Sequence, residues 1–144
     1  YRVNGFAPEA EALLERFELA PKRHALAQEL SRGMRQKLAI CCAYLHRPAV
    51  VFLDEPLTGL DPRGIRTMKD TIRERAGAGT AFVISSHLLS LIEDLCTGLL
   101  ILSHGRRLFF GDLAGARAAY AGAGESLEEV FLRATEGAVP GREG

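Results

Sequence analysis

The sequence has no surplus of either charge: 18 Lys and Arg balance 18 Asp and Glu, for a formal net charge of zero. A basic face or domain is the electrostatic footprint of nucleic-acid binding, so no nucleic-acid partner is expected. Long apolar runs are missing too, and stretches such as Leu99 to Leu102 fall far short of the ~20 residues needed to span a bilayer. Tyr1 to Leu19 mixes Arg, Asn, Pro and Glu with its apolar residues and lacks the character of a signal peptide. Cysteine is scarce: Cys41 and Cys42 are adjacent, Cys96 is distant and no C-x-x-C occurs. That pattern argues against a zinc site or a disulfide framework and leaves reduced thiols, expected to be buried. No internal repeat is visible. These absences describe a cytosolic chain whose membrane contact would run through a partner.

What is present is organised around Val50 to Pro62, VVFLDEPLTGLDP. A short apolar run bounded by turn residues reads as a strand buried on both faces of a parallel sheet. Asp54 and Glu55 then emerge at its C-terminal end, the edge at which open α/β sheets bind ligands. Two successive carboxylates suit a metal-and-water site, because one can anchor a hard cation while its neighbour takes a proton from water.

The rest of the chain, 144 residues and about one domain in length, falls around that strand. Pro8 to Leu19 places Ala10, Leu13, Leu14 and Phe17 at helical spacing, with Pro21 as its end. Lys22, Arg23 and His24 read as a solvated face. Ser31 and Gly33 precede a long helical pattern that closes at Pro48, which makes a corner of free N–H groups, a hydroxyl and the positive end of a helix dipole. The same residues are also ordinary caps. Asp61-Pro62 opens a helix along Ile65, Met68, Lys69, Ile72 and Ala76, stopped by Gly77 and Gly79. Thr80 to Ser85 is a second buried strand with His87 just past it, at the edge that carries Asp54. A short helix is expected over Leu88 to Cys96, then a hairpin from Leu99–Ser103 and Arg107–Phe110 around His104-Gly105-Arg106. Asp112 caps a helix to Tyr120, Ser126 begins a capping box for the helix carrying Val130 and Phe131, and Pro140 to Gly144 is a frayed end. The order makes the class α/β.

Four pieces stand in fixed order: LSRGM at 30–34, VVFLDEP at 50–56, TGLDP at 58–62 and SSH at 85–87. Together they resemble the C-terminal part of an ABC-type P-loop NTPase domain, the ATP-binding domain of ABC transporters. The resemblance implies a RecA-like sheet plus the end of the helical subdomain, with ATP and Mg²⁺ as cofactors. It makes Leu30 to Met34 the ABC signature, whose Ser31 hydroxyl and Gly33 N–H bind the γ-phosphate held by the other subunit of a head-to-tail pair, with Met34 beside them. Asp54 becomes the Walker B acid that holds Mg²⁺. Glu55 becomes the general base, Asp61 a D-loop residue that carries signals between sites, and His87 the switch histidine that reads the γ-phosphate. Asp61 as a simple helix cap is compatible with that role. His46 and His104 are read as a helix-end and a turn residue.

The signature departs from the usual LSGGQ: Arg32 replaces the first Gly and Met34 the Gln, while Ser31 and Gly33 stay. The form Gly-Met-Arg-Gln-Lys resembles the variant of bacterial ABC-2 type exporters, as do the hairpin and the SLEEVF tail. A larger departure is that no G-x-x-x-x-G-K-[ST] occurs, and Tyr1 is not a Met. The expectation is a fragment in which residues 1–46 end the helical subdomain, 47–112 form the RecA-like core and 113–144 a helical tail. Such a chain alone is expected to be inactive towards ATP, with apolar surface of Val50 to Leu53 and Ala81 to Ile84 left open. The function implied is an ATPase subunit powering export through a separate membrane permease, peripheral on the inner face of the cell membrane. Soluble ABC ATPases of ribosomes or DNA, and a non-hydrolysing or truncated cassette, are the competing readings. The short separation of Gly33 and Asp54 argues against DNA-repair types, and Glu55 with His87 against a non-hydrolysing one.

Overall fold

The computed structural model describes residues 7–89, 93–120 and 124–136, which divide into two compact units, 1–87 and 88–144. Helix α1 (Ala7–Arg16) opens the first unit. It stops short of the expected Leu19 because Glu18 takes a left-handed conformation, φ 59°, that turns Leu19 into the core at 2% exposure. Pro21 lies in the following 3₁₀ turn, Ala20–Lys22, and a second such turn covers Ala27–Glu29. Helix α2 (Arg32–Leu45) follows, with His46 as its C-cap. Its stripe Lys37, Ile40, Cys41 and Tyr44 is buried, and Cys41 Sγ lies 3.7 Å from the Leu13 carbonyl of α1.

Strand β1 (Val50–Asp54), helix α3 (Pro62–Gly77) and strand β2 (Ala81–Ser85) form a parallel crossover unit, with Val50 opposite Ala81 and Asp54 opposite Ser85. Asp61 caps α3 by accepting the Gly64 N–H at 2.9 Å, and Pro62 occupies the first turn, where its missing N–H costs nothing. Gly77 is the last helical residue, Ala78 the cap, and Gly79 takes the left-handed position, φ 99°. Tyr44 is wholly buried at the centre, its ring edge-on to Phe82 at 6.1 Å and beneath the Arg75 guanidinium at 4.7 Å. Arg75 also bonds Glu9 of α1 at 2.9 Å, which ties three helices around one ring.

The expected burial of β1 on both faces is not found. Val51 and Leu53 pack inward, whereas Val50 is 49% and Phe52 77% exposed, and Val83 of β2 is also open. The two strands pair only with each other among the described residues, and the pleat leaves alternate side chains uncovered on the second face. Of the apolar surface expected to stay open, Val50, Phe52, Ala81 and Val83 are exposed, whereas Val51 and Leu53 are buried and Phe82 and Ile84 half-buried. Cysteine burial is also uneven: Cys41 is buried and its thiol pushed up to about 12 by desolvation, but Cys42 is exposed and Cys96 half-buried. Cys42 points off the α2 stripe, one residue out of register with Cys41.

In the second unit, β3 (Leu99–Ser103) and β4 (Arg106–Gly111) make an antiparallel hairpin. The turn is two residues, shorter than expected, because His104 and Gly105 both take positive φ (48° and 73°), the geometry that matches strand twist. Helix α4 (Leu113–Tyr120) is capped by Asp112, and α5 (Leu127–Glu136) by Ser126, whose hydroxyl accepts the Glu129 N–H at 3.3 Å. Ile101, Ala116, Leu127, Val130 and Ala134 form the core, while Phe131 is 38% exposed. The expected helix Leu88–Cys96 falls partly, and the frayed end Pro140–Gly144 wholly, outside the described residues.

Candidate functional site

Parallel pairing sets the first group of residues. Because Asp54 and Ser85 are opposite one another at the last position of β1 and β2, both chains leave the sheet at one edge, and the Ser85 hydroxyl donates to Asp54 Oδ1. The next residue breaks the strand. Glu55 donates its N–H to the Ser85 carbonyl at 2.9 Å and then takes φ 46°. A left-handed non-glycine residue costs on the order of 1–3 kcal/mol, and such conformations cluster at functional sites. Pro56 and Leu57, both buried, anchor the chain immediately after it.

The conformation of Glu55 turns its carboxylate onto the chain leaving β2. Oε1 accepts the His87 N–H at 3.0 Å and lies 2.9 Å from His87 Nδ1. Oε2 accepts the Ser86 hydroxyl at 3.2 Å and the Thr58 hydroxyl at 3.3 Å. A carboxylate has about four lone-pair positions, so Glu55 is saturated by its own chain. The His87 side chain first, and then its N–H and the Ser86 hydroxyl, hold this carboxyl below the usual carboxylate range. Glu55 is thus ionised at neutral pH.

The second group surrounds the start of α2. Ser31 is its N-cap, with extended backbone and a hydroxyl that accepts the Met34 N–H at 3.2 Å. Gly33, in the first turn, lies against the loop after β1: a Cβ built on it would sit 2.7 Å from the Gly59 carbonyl oxygen. Gly59 itself has φ 80°. Asp61, at the end of that loop, lies 3.5 Å from Lys37 Nζ, and the Gly64 N–H foremost, with Lys37 adding, holds its carboxyl below the usual range. The structure therefore brings Asp54, Glu55 and His87 together at one sheet edge, and sets the first turn of α2, through Gly33, against the 58–61 loop that ends at Asp61, while Ser31 and Met34 meet each other in the cap of that helix.

Several members were not anticipated. Ser85, Ser86 and Thr58 supply hydroxyls to the two acids. Lys37 is a buried cation, and its signal was its register: it falls on the apolar stripe with Ile40, Cys41 and Tyr44. Among the described residues no group of three or more His, Cys, Asp or Glu side chains is placed to hold a metal. At the sheet edge Asp54 and Ser85 offer oxygen donors, the ligand type that a hard cation such as Mg²⁺ takes.

A parallel strand-helix-strand unit with carboxylates at its C-terminal edge is an α/β arrangement whose acids lie where such sheets bind ligands. Comparison with known proteins carries this further. The ABC transporter family model matches residues 4–58. An uncharacterised ABC transporter ATP-binding protein of Alkalihalophilus pseudofirmus is 38% identical over 106 residues, 74% of this chain and 40% of that protein. A daunorubicin resistance ATP-binding protein of Streptomyces coeruleorubidus is 37% identical over 97 residues, 67% of this chain and 31% of its own. The solved structure of an ATP-binding subunit of an ABC transporter superposes with TM-score 0.86 at 32% identity, covering 90% of this chain and 54% of that one. The chain belongs to the ABC transporter ATP-binding family. It spans about a third to a half of the length of the curated relatives it matches.

Proposed function

We propose that this chain is part of the ATP-hydrolysing subunit of an ABC transporter, one that powers export through a separate membrane permease. Residues 1–46 then end the helical subdomain, 47–112 belong to the RecA-like core and 113–144 to a helical tail. The subunit is cytoplasmic and sits against the inner face of the membrane through that permease. Among the described residues no helix is long and apolar enough to cross a membrane. The GMRQK form of the signature and the likeness to a drug-resistance ATP-binding protein support an ABC-2 type exporter.

The observation that carries the reading is the Glu55 carboxylate, ionised and aimed by a left-handed backbone at the edge where Asp54 and His87 meet. In the working site Glu55 accepts a proton from the water that attacks the γ-phosphate. Its longest bonds, to Thr58 and Ser86, are the ones such a water replaces most readily. His87 keeps Nδ1 on Glu55, which leaves Nε2 for a phosphate oxygen, as a donor in the imidazolium form. Asp54 would hold Mg²⁺, which would offset phosphate charge. Ser31 and Gly33 contact the γ-phosphate held by a second subunit, head to tail. No phosphate loop of the form G-x-x-x-x-G-K-[ST] is among these 144 residues, so this stretch alone does not turn over ATP.

The test is Mg²⁺-dependent phosphate release by the whole protein and its Glu55→Gln variant. Loss of the base is expected to cut turnover by roughly 10²–10⁴-fold while ATP binding persists. A variant with wild-type turnover would remove Glu55 from the chemistry.

A further inference from the structure

Lys37 is a charged residue where the helix pattern calls for an apolar one. It lies one turn after Gly33 on the buried stripe of α2, and its side chain is only 11% exposed. A buried cation is costly unless paired, and the partners here come from two other segments. Nζ lies 3.5 Å from Asp61 Oδ1 in the loop after β1, and 3.9 Å from Glu18 Oε2 in the left-handed turn after α1. Asp61 Oδ1 also accepts the Gly64 N–H, so one oxygen joins the cation of α2 to the first turn of α3. Room for the lysine is provided by a missing side chain: a Cβ on Gly64 would lie 2.9 Å from Lys37 Cε. The same helix turn touches the same loop through Gly33 and Gly59, and Gln36 Nε2 reaches the Pro56 carbonyl at 3.5 Å.

We propose that Lys37 is a positioning residue: its ammonium, held between Asp61 and Glu18, fixes the 58–61 loop to the first turn of α2. Ser31, Gly33 and Asp61 then move as one surface rather than as two independent segments. Its value for hydrolysis rests on the functional reading above, because that surface is the one presented to the nucleotide of a second subunit. Gly33 sets the distance between the two segments, and Lys37 supplies the attraction that keeps them at that distance.

Two measurements on the whole protein test this, with Lys37→Met removing the charge at similar length and Lys37→Arg retaining it. Amide hydrogen exchange at Leu60 and Gly64 is expected to speed up about tenfold in Lys37→Met, the size of one charge-assisted contact, with amides of β1 and β2 unchanged. Turnover is expected to fall by up to about 10²-fold at nearly unchanged KM for ATP, as for an ~1 Å misplacement, and Lys37→Arg is expected to restore most of both. Uniformly faster exchange across the first unit would mean that Lys37 supports only global stability, and unchanged exchange at Leu60 and Gly64 would mean that it fixes nothing; either overturns the proposal. If wild-type protein releases no phosphate at all, the functional reading fails, and the exchange comparison still decides whether Lys37 holds the loop.

Discussion

Replacing Gly33 by Ala places one methyl group where the backbone of another segment already stands. The new Cβ would lie 2.7 Å from the Gly59 carbonyl oxygen, closer than such atoms are found in proteins. Relief has to come from backbone, since the obstacle is not the end of a flexible side chain, and Gly59 is already committed to φ 80°. Overpacking of this kind costs about 1–3 kcal/mol. Ala in a helix regains about 0.5–1 kcal/mol over Gly, so the net loss is expected to be about 0–2.5 kcal/mol. Gly77→Ala is the matched control, because it too is helical but a Cβ there meets nothing within 4 Å. It is expected to be neutral or stabilising. Urea denaturation followed by circular dichroism compares the two in the same chain. A Gly33→Ala midpoint equal to or above that of Gly77→Ala would refute the contact between α2 and the 58–61 loop.

Three further outcomes follow from the same geometry. Leu53→Ala, at a position 9% exposed, is expected to cost about 2–5 kcal/mol in chemical denaturation. Phe52→Thr, at 77% exposure, is expected to stay within about 0.5 kcal/mol and to reduce light scattering on heating; a reversal of this order would mean that β1 faces the other way. Asp61 and Glu55 both have carboxyl groups held below their usual range, so their stabilising contribution is complete above about pH 4–5 and is lost as the pH falls through their lowered folded values. Asp61→Asn is therefore expected to destabilise the chain at pH 7 and to flatten the acid limb of a stability-against-pH profile, and an acid limb identical to that of the wild type would contradict the Asp61 cap.

The elements that sequence makes legible are those with local causes. Ser31, Asp61, Asp112 and Ser126 each mark a helix start by supplying an oxygen to a free N–H, and each does so in the structure. The meeting of Asp54, Glu55 and His87 was legible because two apolar runs of similar length put their C-terminal ends at one edge. What stayed hidden depends on contacts between segments far apart in sequence. Nothing local requires Glu55 to be left-handed; the buried Pro56-Leu57 pair and the four donors on its carboxylate over-determine it. Glu18 ends α1 early because Leu19 has a core site to fill, which the Pro21 signal does not reveal. Burial of β1 on one face and not two reflects what lies beside a strand, and an all-apolar run reads the same in either case. Gly33 carried a phosphate-binding interpretation from its motif; its close approach to Gly59 is a second reason for a glycine, visible only in three dimensions.

In the head-to-tail pair proposed above, Ser31 of one subunit and Glu55 of the other would share one catalytic site. This sharing is tested by mixing whole-protein variants that each carry one lesion, Ser31→Arg and Glu55→Gln. In a head-to-tail pair one composite site of the mixed dimer receives both lesions and the other receives neither. The mixture is expected to release phosphate well above either variant alone. A mixture that forms mixed dimers yet stays no more active than the separate variants would contradict the shared site.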